Sequence, residues 1–142
     1  MSAPEAVRYQ PRSVPLPRRI VVRLVVLAAR LLATRSPRRI RGVLGWLSRG
    51  VPPASFEQAI TARRTVVAVS LACAGLKGCV VRSLATALLC RSRGQWPVWC
   101  VGARRVPPFD AHAWVEAEGA MVDEPYPPDY YRVFFTVPPH RG

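Results

Sequence analysis

The feature that most constrains this chain is a change of pattern at Gly94. Before it, apolar residues recur at the three-to-four spacing of helices. After it come short stretches of aromatic and β-branched residues punctuated by Gly and Pro. Helices first and strands second predict an α+β domain, not an alternating α/β one. A helix is expected over residues 17–34. Ser36, an N-cap before Pro37, opens a second helix with Ile40, Val43, Leu44 and Leu47 at helical spacing, stopped by Gly50. Ser55 with Gln58 forms a capping box for a third helix, with Phe56, Ile60 and Val67 near one face. Residues 74–78 read as a glycine-bounded loop leading to a fourth helix from Cys79 to about Arg93, carrying Val81, Leu84 and Leu88. Strands are expected over 96–103 (despite Pro97), 111–116 and 121–124, with the aromatic tail 126–137 adding a last one. The organisation is then a loose tail over 1–16, a helical segment over 17–54, and a main domain over 55–142.

Charge divides the chain differently. Residues 1–66 hold thirteen Arg against two Glu, a net +11, whereas residues 67–142 carry only +2. Such a basic half suits anionic lipid, nucleic acid or an acidic peptide. Arg19, Arg23 and Arg30 fall within about 40° of one another on the first helix, a narrow polar stripe on an otherwise apolar cylinder. These three are the candidate docking residues for a partner or substrate. The apolar part of the helix is expected to pack on the main domain, leaving them outward. The segment 20–33 is too short and too interrupted by Arg23 and Arg30 to span a bilayer, and Arg23 spoils it as a signal sequence. A cytoplasmic location follows, with Cys73, Cys79, Cys90 and Cys100 reduced. Their gaps fit no zinc-ligand pattern, so no metal is expected, and Cys90 and Cys100 read as core.

Cys79 stands apart from the other thiols. At the start of a helix, unpaired backbone N–H groups and the helix dipole favour a thiolate, and the same N–H groups suit a developing oxyanion. A thiolate mechanism needs a base with a pKa near neutrality, for which imidazole is the usual choice. The chain has two histidines, and His140 is in the terminal tail, so His112 is the candidate base.

A third group should orient the imidazole. If residues 117–119 form a three-residue loop with Gly119 left-handed, Glu116 opposes Ala120, Trp114 opposes Val122, and His112 opposes Glu124. Glu124 is then the favoured acid, with Asp123 second and Asp110 third. A one-residue slip in register would reverse the first two.

Three blocks now stand in order: Gly78-Cys79-Val80-Val81-Arg82-Ser83-Leu84-Ala85, Trp99-Cys100-Val101-Gly102, and Pro108 to Glu116 around His112. Together they closely resemble the leader peptidases of lasso-peptide biosynthesis, over about Ser55 to Val137. Those proteins are similar to transglutaminases and papain-like peptidases. The resemblance implies a catalytic helix packed on a small antiparallel sheet, Cys79 as nucleophile, and His112 as general base and then acid. Many members carry Asp as the third residue where this chain has Glu124 beside Asp123. It also implies a ribosomal precursor peptide as substrate, a separate leader-recognition protein and a lasso cyclase as partners, and no cofactor, with any nucleotide requirement open.

Two other classes compete. An amide-forming transferase on the same fold would share the acyl-enzyme and differ in whether an amine or water attacks it. A non-catalytic basic protein would bind RNA or lipid, but the Arg-rich half lacks interleaved aromatics and any nucleic-acid motif. Nucleic acid is therefore not expected as a partner, while a peripheral membrane contact of the first two helices stays open.

Overall fold

The computed structural model describes residues 11–70, 73 and 78–139. Most of the expected loop over 74–78, most of the expected tail, and His140 lie outside them. Among the described residues the main helices, α1 (Leu16–Ala33), α2 (Pro37–Leu47), α3 (Phe56–Val69) and α4 (Cys79–Ser92), precede a four-stranded sheet of β1 (Val98–Arg104), β2 (Ala111–Ala117), β3 (Ala120–Met121) and β4 (Tyr131–Val137). The fold is α+β, with the helices packed on a small antiparallel sheet. Short 3-10 helices lie at Pro11–Ser13 and Pro128–Tyr130.

Local chemistry explains the helix boundaries. Ser36 caps α2 by accepting from the Arg39 N–H (3.3 Å), with Pro37 in the first turn. The box at α3 is reciprocal: Gln58 N–H donates to Ser55 Oγ (3.1 Å) and Ser55 N–H to Gln58 Oε1 (2.8 Å). A cap of this kind stabilises by about 1 kcal/mol. Past the end of α4, Gly94 takes φ +83°, the left-handed geometry that ends helices.

The sheet runs β3-β2-β1-β4, antiparallel throughout, so the last strand returns to pair with β1 at the far edge. β1 starts two residues later than expected. Pro97 offers no N–H to the ladder, and Trp96 instead bridges Pro53 across the connection before α3.

One face of the sheet supports the helices. α4 packs on β2 and β1, α3 packs on α4 and β2, and α1 packs on α4 and α3. The core side of α3 is built on Ala59, Ala62 and Val66, with Phe56 and Ile60 only partly buried. Small residues there let α3 approach α4 closely. α4 is buried at Ser83–Ala87, Leu89 and Cys90, hence on most of its circumference. Trp99 Nε1–H ties it to the sheet by donating to Ser83 Oγ (3.0 Å). The other face carries a smaller cluster of Cys100, Trp114 and Tyr131.

Two expectations need correction. The β2–β3 hairpin pairs Ala117 with Ala120 and Glu116 with Met121, one residue away from the expected register. Its loop has two residues, Glu118 (φ +53°) and Gly119 (φ +78°), both left-handed as a type I′ turn requires. The expected strand over 121–124 also stops at Met121, because Asp123 (φ +55°) turns the backbone out of the ladder. The second correction concerns α1. It buries only Val22, Val26 and Ala29 fully, and Ile20, Leu24, Leu27 and Leu31 stay exposed.

Candidate active site

Cys79 is the first residue of α4, half-buried, with Gly78 in the N-cap position. The Arg82 N–H closes the first helical turn onto the Gly78 carbonyl (2.7 Å). Helix geometry leaves the N–H groups ahead of it without intrahelical acceptors. An anion forming beside the sulfur therefore meets backbone donors and the positive end of the helix dipole.

His112 is the second residue of β2, opposite Gly102 of β1. Its ring stacks on Tyr131 (centroids 4.6 Å apart, 17° between planes) and more distantly on Trp114 (5.6 Å). Gly102 makes this packing feasible. A Cβ there would fall 2.2 Å from the Arg132 carbonyl oxygen and 3.2 Å from the Trp114 ring. The β1–β4 register also shifts between Val101 and Gly102.

Cys79, His112 and Glu124 come together. His112 Nε2 contacts Glu124 Oε1, leaving Nδ1 for the hydrogen bond with the Cys79 thiol. That hydrogen bond draws the Cys79 pKa below the usual thiol value; burial opposes it, while a backbone hydrogen bond at Ala113 and the charges of His112 and Arg82 assist it. Burial would lower the His112 pKa. The hydrogen bonds to Cys79 and Glu124, and the charges of both, outweigh burial and raise it to about 9. Opposite shifts of this kind favour a thiolate–imidazolium pair at neutral pH. The other thiols behave in the opposite way. Burial raises the pKa of Cys73, of Cys90 to about 12, and of Cys100.

Glu124 reaches His112 by a route other than strand alternation. With Ala117 opposite Ala120, continued pairing would set Glu124 across from Ala113, on the face away from His112. The left-handed Asp123 turns the chain after Val122, whose N–H still donates to the Val115 carbonyl (3.0 Å). Asp123 itself points to Arg63 and Arg64 (3.4 Å each). Asp110 is exposed, its carbonyl accepting from the Arg104 N–H (3.2 Å).

Arg63 on α3 is a residue the sequence did not single out. Its Nη2 donates to Glu124 Oε2 (3.3 Å) while its Nη1 donates to Asp123 Oδ2 (3.4 Å), with only 15 % of its side chain exposed. Glu124 thus has one oxygen on His112 and the other on Arg63, with its side chain 3 % exposed. Burial and the neighbouring Arg82 lower the Arg63 pKa, and the two carboxylates act against that shift. Tyr131, the ring against His112, lay within the aromatic tail but no local pattern marked it. Arg19, Arg23 and Arg30 are on α1, remote in sequence from this site. Arg23 and Arg30 are exposed, whereas Arg19 is half-buried and its Nε has no acceptor among the described residues.

A family model described as the transglutaminase-like superfamily matches residues 22–136. No curated protein and no solved structure matches the chain.

Proposed function

The chain belongs to the transglutaminase-like superfamily, and from that premise we propose that it is a cysteine peptidase removing the leader from a ribosomally made lasso-peptide precursor. The observation that carries the reading is the Cys79–His112–Glu124 arrangement, in which only Cys79 of the four thiols has a lowered pKa. The resemblance around Cys79, Trp99 and His112 supports the choice of substrate.

In this mechanism the Cys79 thiolate attacks the carbonyl carbon of the leader–core peptide bond. Negative charge moves to the carbonyl oxygen, facing the N–H groups at the start of α4. His112, already protonated, gives its proton to the amide nitrogen as the C–N bond breaks, and the core leaves with a free amine. The leader remains as a thioester on Cys79. Water then attacks the thioester, His112 takes its proton, and the leader departs as a carboxylic acid while the thiolate re-forms. Glu124 holds the imidazole with Nδ1 toward the sulfur and balances the imidazolium. Arg63 in turn fixes Glu124.

A separate leader-recognition protein and a cyclase complete the system, in the cytoplasm where the precursor is made. The test is incubation of precursor with the protein and the recognition protein, the cyclase left out, with product masses read. Free leader acid and free core support hydrolysis. An isopeptide adduct on Cys79-dependent turnover means that an amine is the acceptor, and the protein is then an acyl transferase.

A further inference from the structure

α1 is packed on one side only. Val22, Val26 and Ala29 enter the core against α3 and α4. On the opposite side Ile20, Leu24, Leu27 and Leu31 fall within about 60° of one another at 100° per residue. These four are 54, 62, 54 and 62 % exposed, and Leu16 extends the row at the N-terminal end. A groove of about 500 Å³ between α1 and α2 continues it, lined in part by Leu31, Leu32, Val43 and Leu47. An uncovered apolar surface of this extent marks an interaction site.

Charge on the same elements identifies what covers it. Residues 16–47 contain eight Arg and no Lys, Asp or Glu. Exposed Arg23 and Arg30 border the leucine row on one flank, and Arg35 and Arg39 line the groove on the other. The occupant must therefore be apolar in the middle and anionic around it. A second copy would set eight Arg against eight. We propose that α1 is a peripheral membrane anchor, lying flat on an anionic bilayer with its leucine row at the acyl boundary and its Arg side chains among lipid phosphates. No described helix is long and apolar enough to cross a membrane, which fits an in-plane contact. Arg23 and Arg30, candidates from sequence for docking a leader or its recognition protein, face headgroups in this arrangement. α1 rests on α3 and α4, and these rest on β2, so the helix layer stands between the bilayer and the strand that carries His112. The proposal does not depend on what reaction Cys79 performs.

Vesicle flotation tests it without reference to activity. Full-length protein is mixed with phosphatidylcholine vesicles, neutral or containing about one-third phosphatidylglycerol, at low and high salt. The anchor predicts binding to the anionic vesicles at least about tenfold tighter than to neutral ones, weakened by salt. Replacing Leu24, Leu27 and Leu31 together by Gln should abolish flotation while leaving the helical circular-dichroism signal and melting temperature intact. Three results overturn the proposal. The first is wild-type protein that stays in the aqueous phase with anionic vesicles at low salt. The second is a triple variant that floats like wild type, since binding would then be electrostatic and independent of the row. The third is a row-dependent dimer in sedimentation, or row-dependent binding to polyglutamate as tight as to vesicles, which assigns the surface to protein.

Discussion

Glu124 contacts Nε2 of His112 even though strict strand alternation in the observed hairpin would put the two residues on opposite faces of the sheet. The backbone at Asp123 makes the difference. Its left-handed φ of +55° turns Glu124 inward and sends the Asp123 carboxylate to Arg63 and Arg64. Adjacent acids thereby acquire different roles. Glu124→Gln should lower turnover on the order of 10²–10⁴-fold, the usual range for disturbing an acid–base partner. Asp123→Asn should cost far less, because Asn tolerates the left-handed region. Equal losses in single-turnover cleavage would remove Glu124 from its assigned role.

The two shifted pKa values fix the pH profile. The His112 pKa is raised from 6.5 to about 9, so its pairing energy is fully present below 6.5 and is lost as pH rises through about 9. The Cys79 pKa is lowered from 9.0, so its contribution is present above 9.0 and is lost as pH falls through the lowered value. Thiolate and imidazolium coexist between the two folded values. Cleavage, and thiolate absorbance in the ultraviolet, should hold steady through neutrality, with an alkaline limb in cleavage near 9. Glu124→Gln should move that limb to lower pH, since it removes one of the charges that raise the His112 pKa.

Arg63 should act through Glu124 and not on the substrate. Arg63→Met leaves a carboxylate that is 3 % exposed without one of its partners, at a cost of about 1–3 kcal/mol in stability. It should also lower kcat more than it raises KM and shift the alkaline limb of the pH profile. Arg63→Lys should restore part of the rate. A variant with reduced melting temperature but unchanged pH profile and kcat would make Arg63 structural only.

Gly102→Ala tests how tightly the imidazole is seated. The added methyl would lie 2.2 Å from the Arg132 carbonyl oxygen, a backbone atom that cannot rotate away, and 3.2 Å from the Trp114 ring. Strand β1 or β4 must shift, destabilising the protein by about 1–3 kcal/mol. Chemical denaturation should show this together with loss of activity, since the rings stacked on His112 move with the strands. Unchanged stability would mean that the β1–β4 register shift absorbs the methyl.

What could be read from the sequence was governed by how local the signals were. Ser36, Ser55 with Gln58, and Gly94 mark helix ends through contacts within four residues, and each is at the expected boundary. The thiol that opens a helix was visible for the same reason. The hairpin register was not, because Glu118 and Asp123 both adopt a left-handed φ that the sequence assigned to Gly119 alone. The choice of Glu124 rested on that incorrect register, and the kink at Asp123 brings it to His112 by another path. Arg63 is sixty-one positions from Glu124 and carries no pattern of its own. On α1, an apolar circumference with an Arg stripe announces burial, but periodicity cannot say which half the neighbours leave bare.

In the proposed mechanism Cys79 carries the chemistry, and single-turnover cleavage of precursor by the Cys79→Ala variant is the test of that role. Cys79→Ala should keep native melting behaviour and release no leader, while well-folded Cys90→Ala and Cys100→Ala remain active. His112→Ala should be equally silent, and the double variant no worse than either, as for groups acting in one unit. Leader release by Cys79→Ala at the wild-type rate would show that another group performs the cleavage.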